Sequence, residues 1–240
     1  MKQFNNETIG NLYIVATPIG NMGDITLRAI EILKSVDLVV CEDTRVSGLL
    51  LHKLEIKKPL KAIHQHSLEK SIDEVIAELL AGRSVAYVTD NGTPGISDPG
   101  QKLIQNVNIK NQNDNENIKI IPIPGASAVT SAISVSGLVD KEFYFAGFLP
   151  KKKGRQTQLK HLSVVDVPIV IYESAFRIEK TLDDIKEYFG AETQVFIARE
   201  MTKMFEEYWG GTIKEVAEDL NDHKLKGEFV LIIKRSKIKN

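Results

Sequence analysis

The chain has 240 residues, 42% of them hydrophobic and 26% charged, the composition of a folded globular protein large enough to bury one sizeable core or two smaller ones. Its 31 basic and 32 acidic side chains leave a net charge of −1, which excludes wholesale electrostatic capture of nucleic acid and leaves room for a local basic patch. A single cysteine, Cys41, excludes an internal disulfide framework and a cysteine-built metal cluster, no apolar run approaches the roughly 18 residues of a membrane span, and the opening MKQFNNETIG has no apolar signal region, so the expectation is a cytoplasmic protein.

Leu12 to Ala16 reads as a short buried strand, ended by Thr17-Pro-Ile-Gly-Asn21. Asp24 is expected to cap a helix that carries Ile25, Ala29, Ile30 and Leu33 on one face. Asp37 to Cys41 is a second strand, followed by the polar quartet Glu42-Asp-Thr-Arg45 and a helix over 46–54. Leu60 to His64 gives a third strand, and a helix starts at Ser67 and stops at Gly82. Ser84 to Thr89 is an apolar, β-rich run of the kind found in buried parallel strands.

The segment directly after that run is the most telling in the chain. Asp90 to Gly100, DNGTPGISDPG, contains three glycines and two prolines, which set special backbone angles and forbid regular structure. Asp98-Pro99 then opens a helix in the preferred order, an acidic N-cap followed by proline in the first turn, running to about Val107. A connection this long serves a function more often than simple linkage. The window 108–117, NIKNQNDNEN, is expected to be a surface loop near a domain boundary, which places the domains at 1–120 and 121–240.

Ile118 to Ile123 resumes as strand, and Pro124-Gly125 turns into a small-residue helix over 126–136. The second half reads as strand 143–148, helix 153–161, strand 167–172, helix 176–189 closed by Gly190, strand 193–198, strand 205–209, helix 212–221 and strand 228–234. This alternation throughout the chain predicts an α/β fold with largely parallel sheets.

Three loops share one plan: a strand runs into Thr17 to Asn21, another into Asp90 to Gly100, a third into Pro124 to Ser127. Parallel strands would deliver all three to one edge of one sheet, where ligands of α/β proteins bind. None matches a P-loop or G-x-G-x-x-G, which removes support for nucleotide hydrolysis and ordinary dinucleotide binding. Glu42 to Arg45 at the same edge either binds a polar substrate and places a general base, or is a local cap with an Asp–Arg pair. His64 and His66 could face the same way, but without nearby cysteine or acidic ligands they give no metal site. Lys151, Lys152, Lys153 and Arg155 form a basic run that suits phosphate contact or plain solvation. Tyr172 to Arg177 and Ala198 to Lys203 are two further polar strand ends, read either as a second site edge or as domain-joining salt bridges. No nucleophile elbow, H-E-x-x-H or catalytic cysteine setting occurs, so covalent and metal-dependent hydrolysis are not expected.

Taken in order, Ala16-Thr-Pro-Ile-Gly-Asn21, Glu42-Asp-Thr-Arg45, the loop 90–100, Pro122-Ile-Pro-Gly-Ala-Ser127, Gly147-Phe-Leu-Pro150, Tyr172-Glu-Ser-Ala-Phe-Arg177, Ala198-Arg-Glu-Met-Thr-Lys203 and Gly227-Glu228 resemble the ribosomal RNA small subunit methyltransferase I family of the tetrapyrrole methylase superfamily. The resemblance spans about residues 10–234. It implies a two-domain tetrapyrrole methylase-like α/β fold with a mixed C-terminal sheet, usually a homodimer, with S-adenosyl-L-methionine in the cleft between domains. The implied reaction is 2′-O-methylation of a cytidine ribose, position 1402, of 16S rRNA in the small ribosomal subunit. Alternatives on the same fold are a methylase of a tetrapyrrole or other small molecule, and a non-catalytic S-adenosylmethionine-binding regulator.

Carried onto matching positions, the resemblance implies cofactor contacts from Pro18, Ile19 and Gly20, from Asn91, Gly92, Thr93 and Ile96, and from Ser127 and Ala128. Glu173 beside Tyr172, Met201 and Glu228 are the implied contacts from the second domain. Asp43 or Glu200 is expected to accept or relay the hydroxyl proton, with Lys203 and Arg45 orienting the nucleotide and Arg177 adding a substrate contact. Two departures stand out: Ala175 replaces the proline expected in Y-E-S-P-x-R, and a helical C-terminal extension common in the family is not seen after the last strand.

Overall fold

The structure is a computed structural model that describes residues 9–63, 68–114, 116–220, 223 and 225–236. The third strand's predicted end, the start of the helix expected at Ser67, and the pair His64 and His66 lie outside these residues. The chain divides into two compact units, Met1–Ser127 and Ala128–Asn240.

The first unit is an open sheet with helices on both faces. Its strands are β1 (Leu12–Val15), β2 (Leu38–Cys41), β3 (Leu60–Ala62), β4 (Val85–Val88) and β5 (Ile120–Ile123). They lie in the order β3-β2-β4-β1-β5, and every pairing is parallel. The helices are α1 (Leu27–Ser35), α2 (Thr44–Lys53), α3 (Leu68–Leu80) and α4 (Gly100–Asp114). Because strand side chains alternate, the two faces feed two cores. Leu12, Ile14, Val85 and Tyr87 pack with Val75, Leu79, Leu103 and Val107 of α3 and α4. Val15, Val39, Ala86 and Val88 pack with Ala29, Leu33 and Leu51 of α1 and α2. β4 is buried on both faces, which is why it reads as one continuous apolar run.

Two expectations need correction here. Asp24 does not cap the first long helix; it ends a 3-10 turn, Met22–Asp24, whose cap is Asn21. The helix starts later because Thr26 is the better-placed cap, its hydroxyl accepting from the Ala29 N–H at 3.1 Å. The Asn-rich window is not a loop through most of its length, since α4 continues to Asp114. No Gly or Pro interrupts residues 101–114, and Asn111 fastens the helix by accepting from the Ile118 N–H (3.0 Å) and donating to its carbonyl (2.9 Å). The division between units falls after Ser127 because β5, which comes after that window, completes the first sheet beside β1.

The second unit begins with α5 (Ala128–Ser136), followed by β6 (Tyr144–Phe148), α6 (Arg155–Leu162), β7 (Ile169–Ser174), α7 (Ile178–Phe189), β8 (Gln194–Arg199), β9 (Glu207–Thr212), α8 (Ile213–Asp219) and β10 (Glu228–Lys234). The sheet order is β6-β7-β10-β8-β9. β6 and β7 are parallel, β10 is antiparallel to β7 and β8, and β9 is antiparallel to β8. β6, β7 and β8 therefore end on one edge, where β9 and β10 begin. One core joins Ile169, Ile171, Ile197, Leu231 and Ile233 of the sheet to Leu159, Leu182, Ile185 and Val216 of α6, α7 and α8. Thr212 and Glu215 form a full capping box at the head of α8. Among the described residues no helix is long and apolar enough to cross a membrane.

Candidate active site

In the first unit the parallel sheet collects the polar strand ends on one edge, and hydrogen bonds fasten them together. The Thr17 N–H donates to the Gly92 carbonyl at 2.9 Å, and the Gly92 N–H donates to Thr17 Oγ1 at 3.1 Å. Thr17 Oγ1 also reaches the Thr89 carbonyl at 3.2 Å. Thr93 Oγ1 donates to the Ala126 carbonyl at 2.9 Å, tying the long loop to the third one. Pro18 and Ile19 are buried, Gly20 and Asn91 are exposed, and Ile96 is half-buried. Gly92 has φ +81°, and a Cβ there would stand 3.0 Å from Ile19 Cγ2 and 3.4 Å from the Ala126 carbonyl oxygen. Glycine at this position lets the first and second loops close on each other.

Asp98 organises the rest of the long loop. Its Oδ2 accepts from the N–H groups of Gly95 (2.6 Å) and Ile96 (2.9 Å), and its Oδ1 from the Gly100 N–H (2.8 Å) and the Tyr87 hydroxyl (3.2 Å). The helix-opening role read from the sequence is thus one part of a wider one.

Acidic groups crowd the ends of β2 and β4. Glu42 Oε1 accepts from the Thr89 hydroxyl and, at 3.3 Å, from the Asp90 N–H. Burial pushes its carboxyl above the ordinary carboxylate range against those hydrogen bonds, and the Asp90 charge adds to the rise. Burial likewise raises Asp90. Asp43 caps α2 by accepting from the Arg45 N–H at 2.8 Å, and its carboxylate pairs with the Arg45 guanidinium at 2.5 Å. The local cap with an Asp–Arg pair is present at Asp43 and Arg45, while Glu42 and Asp90 lie close together as a second acidic pair. An open pocket of about 170 Å³ at this edge is lined by Pro18, Gly20, Asp90 and Asn91 among others.

The second unit has its own polar edge, at the ends of β6, β7 and β8. Glu173 is 1% exposed; its Oε2 accepts from Thr181 Oγ1 at 2.7 Å and its Oε1 from the Ser174 N–H at 2.8 Å. Arg177 pairs with Glu173 at 3.3 Å and donates to the Leu149 carbonyl at 2.5 Å. Arg155 differs from its expected role. It is 4% exposed and donates to Asp184 Oδ2 (2.7 Å), Thr181 Oγ1 (2.8 Å) and the Pro150 carbonyl (3.3 Å). It is an anchor of the basic loop rather than one of its exposed cations, whereas Lys151, Lys152 and Lys153 are exposed.

At the end of β8 the backbone is forced into the left-handed region at Glu200 (φ 48°) and Thr202 (φ 66°), a costly conformation for residues with a Cβ. Met201 between them is buried. Lys203 Nζ donates to Glu200 Oε1 (2.8 Å) and Glu228 Oε2 (2.9 Å), and the Glu228 N–H donates to Glu200 Oε1 (3.0 Å). Burial works to raise the Glu200 carboxyl, but these bonds and the Lys203 charge hold it below its ordinary value. Lys203 is held above its own, burial being outweighed by the two carboxylates. Gly227 (φ +98°) leaves room for the Glu200 side chain, which a Cβ would strike.

The structure thus gathers Pro18, Ile19, Gly20, Asp43, Arg45, Asn91, Gly92 and Thr93 on one sheet edge, and Lys151, Lys152, Lys153, Glu173, Arg177, Glu200, Met201, Lys203 and Glu228 on the edge of the other sheet. Ser127 and Ala128 sit at the division between the units. Thr181 and Asp184 escape a reading of the sequence, which places Thr17 and Thr89 at strand ends without showing that they join the loops.

The family model described as tetrapyrrole (corrin/porphyrin) methylases matches residues 11–217. A protein of Synechocystis sp. named ribosomal RNA small subunit methyltransferase I is 43% identical, over 94% of this chain and 79% of its own. Its namesake in Thermotoga maritima is also 43% identical, over 94% of this chain and 98% of its own. A uroporphyrin-III C-methyltransferase of Thermus thermophilus, solved with S-adenyl homocysteine, superposes with a TM-score of 0.64 at 14% identity, covering 94% of this chain and 97% of that one, a likeness of fold. Matched in sequence along nearly its whole length and in fold to this degree, the chain belongs to the tetrapyrrole methylases and, among them, to the ribosomal RNA small subunit methyltransferase I family.

Proposed function

We propose that this chain transfers the methyl group of S-adenosylmethionine to the 2′-hydroxyl of a cytidine ribose in 16S rRNA. The observation that carries the reading is the fastened pair of loops at the first sheet edge, where Thr17 and Gly92 exchange hydrogen bonds and Gly92 admits close approach of backbone. These residues fit the cofactor. They offer main-chain groups, and the pocket they line carries the Asp90 carboxylate beside apolar and polar neutral side chains and Lys53, a setting that suits a ligand carrying a sulfonium cation. Pro18, Ile19, Gly20, Asn91, Gly92, Thr93 and Ile96 would hold it from this edge, with Ser127 and Ala128 beside them, and Glu173, Met201 and Glu228 belong to the same assignment. Bound S-adenosylmethionine supplies an activated methyl group, so neither a metal nor a covalent nucleophile is required.

The chain's own work is to orient the ribose and move one proton. Asp43 and Glu200 are the proposed acceptors of the hydroxyl proton, Arg45 and Lys203 the proposed nucleotide contacts, and Lys151, Lys152, Lys153 and Arg177 the proposed RNA-facing cations. Lys203 holds the Glu200 carboxylate in place beside Glu228, with the backbone N–H of Glu228 as a second donor. The small ribosomal subunit as partner, a homodimeric assembly and a cytoplasmic location belong to the same reading.

Incubation with 30S subunits and labelled S-adenosylmethionine, then mapping of the modified nucleotide, tests it. Transfer to a single cytidine ribose is expected; transfer to a porphyrinogen instead, or cofactor binding with no transfer, would overturn it. In single-turnover assays Asp43→Asn or Glu200→Gln is expected to slow transfer by about 10²–10⁴-fold. Full rate in both variants would sink the proton-acceptor assignment while leaving the reaction standing.

A further inference from the structure

We infer that the edge of the second sheet where β6 and β7 end is a preorganised platform for unpaired RNA bases, with Phe176 and Phe148 as stacking surfaces and Lys151, Lys152 and Lys153 as phosphate contacts. The inference rests on the RNA-directed reading above and names the groups that would grip the substrate. Phe176 is fully exposed, at 101% of its reference area, and Phe148 is 54% exposed. A large aromatic ring left wholly in water stabilises nothing in the folded chain.

Its backbone is nevertheless held rigidly. The Arg177 N–H closes the turn on the Ser174 carbonyl at 3.0 Å. On one side of the turn, Glu173 is buried and bonded to Thr181 and the Ser174 N–H. On the other, the Arg177 guanidinium grips Leu149, the residue after Phe148. Phe148 in turn leans its ring edge-on against Tyr172, at a centroid distance of 5.4 Å.

Arg177 and a second arginine, Arg155, fix the lysine loop. Arg177 takes the carbonyl of Leu149 and Arg155 that of Pro150, so the loop that carries the three lysines is clamped at its root. Rings and charges are therefore set side by side by one hydrogen-bond network before any ligand arrives. Exposed aromatic rings beside fixed cations are the chemistry that captures single strands: every base has a face to stack, and every nucleotide a phosphate to neutralise. A duplex hides its base faces, so the platform selects unpaired RNA, which also leaves a ribose hydroxyl free of helical packing.

The test uses the full chain and a short fluorescent single-stranded RNA, with the duplex of the same sequence as control. Phe176→Ala is expected to weaken single-strand binding about tenfold and to leave duplex binding unchanged, and Phe176→Trp to restore it. The combined change Lys151→Glu, Lys152→Glu and Lys153→Glu is expected to reduce the slope of log affinity against log salt by about two. Unchanged single-strand affinity in Phe176→Ala, or an equal loss for the duplex, overturns the platform. So does a shift in sedimentation of that variant, which would mean that the ring covers a second copy of the chain. The two proposals separate in parallel 30S assays. Wild-type chain that stacks RNA through Phe176 yet transfers no methyl refutes the reaction alone, and Phe176→Ala at full transfer rate refutes the platform alone.

Discussion

Gly92 is constrained twice, by a left-handed backbone and by neighbours that a methyl group would touch at 3.0 and 3.4 Å. Gly92→Ala is expected to lower stability by about 1–2 kcal/mol from the backbone term, read as a fall in the urea midpoint, and to weaken S-adenosylmethionine binding as the loop shifts. Two carboxyls at the sheet edges, Glu42 and Glu200, shift in opposite directions. Glu42 is raised by burial, so its ionised form costs stability at any pH above its folded value, a cost that vanishes as the pH falls below its ordinary value of about 4.5. Glu42→Gln should therefore raise the thermal midpoint at neutral pH, with the advantage fading in acid; a constant difference across the pH range would contradict this. Glu200 is held low by Lys203, so its contribution is present at neutral pH and lost as the pH drops through its folded value. At this scale the sequence is a partial guide. Arg155 stands in a run with three lysines, and what sets it apart is Thr181 and Asp184, positioned 26 and 29 residues further on, where no local pattern points.

Most strands and helices are legible because their apolar spacing is regular, and the failures have specific causes. Asparagine in 108–114 suggests a loop, yet it costs a helix only about 0.7 kcal/mol per residue, which one tertiary anchor can offset. Asn111 is that anchor, with two bonds to Ile118. Asn111→Ala is expected to cost about 1–2 kcal/mol and to speed amide exchange through 108–114 while leaving α3 protected; equal protection in the variant would show that the helix end is held otherwise. The sequence places β9 too early because Gly210 and Gly211 look like a strand end. They are inside it: a Cβ on Gly210 would stand 2.6 Å from the Val195 carbonyl oxygen, so glycine is what lets β9 lie against β8.

Across the whole molecule, two sheets of different topology do the same thing, each delivering its polar loops to a single edge. The alternation of strands and helices reveals the class, and the order of motifs reveals the family. Strand order and the direction of β10 are not legible, because they depend on pairings between segments far apart in the chain. Tyr87 illustrates how deeply such an edge is rooted. Its ring is fully buried in the core of the first sheet, while its hydroxyl reaches Asp98, the organiser of the long loop. That bond ties the loop to β4, so amide exchange through 90–100 is expected to track that of β4. A ligand arriving there meets a finished surface, so stopped-flow mixing with S-adenosylmethionine should show one phase whose rate rises linearly with concentration. Tyr87→Phe, which removes only the hydroxyl, should add a slow, concentration-independent phase as the freed loop finds its place.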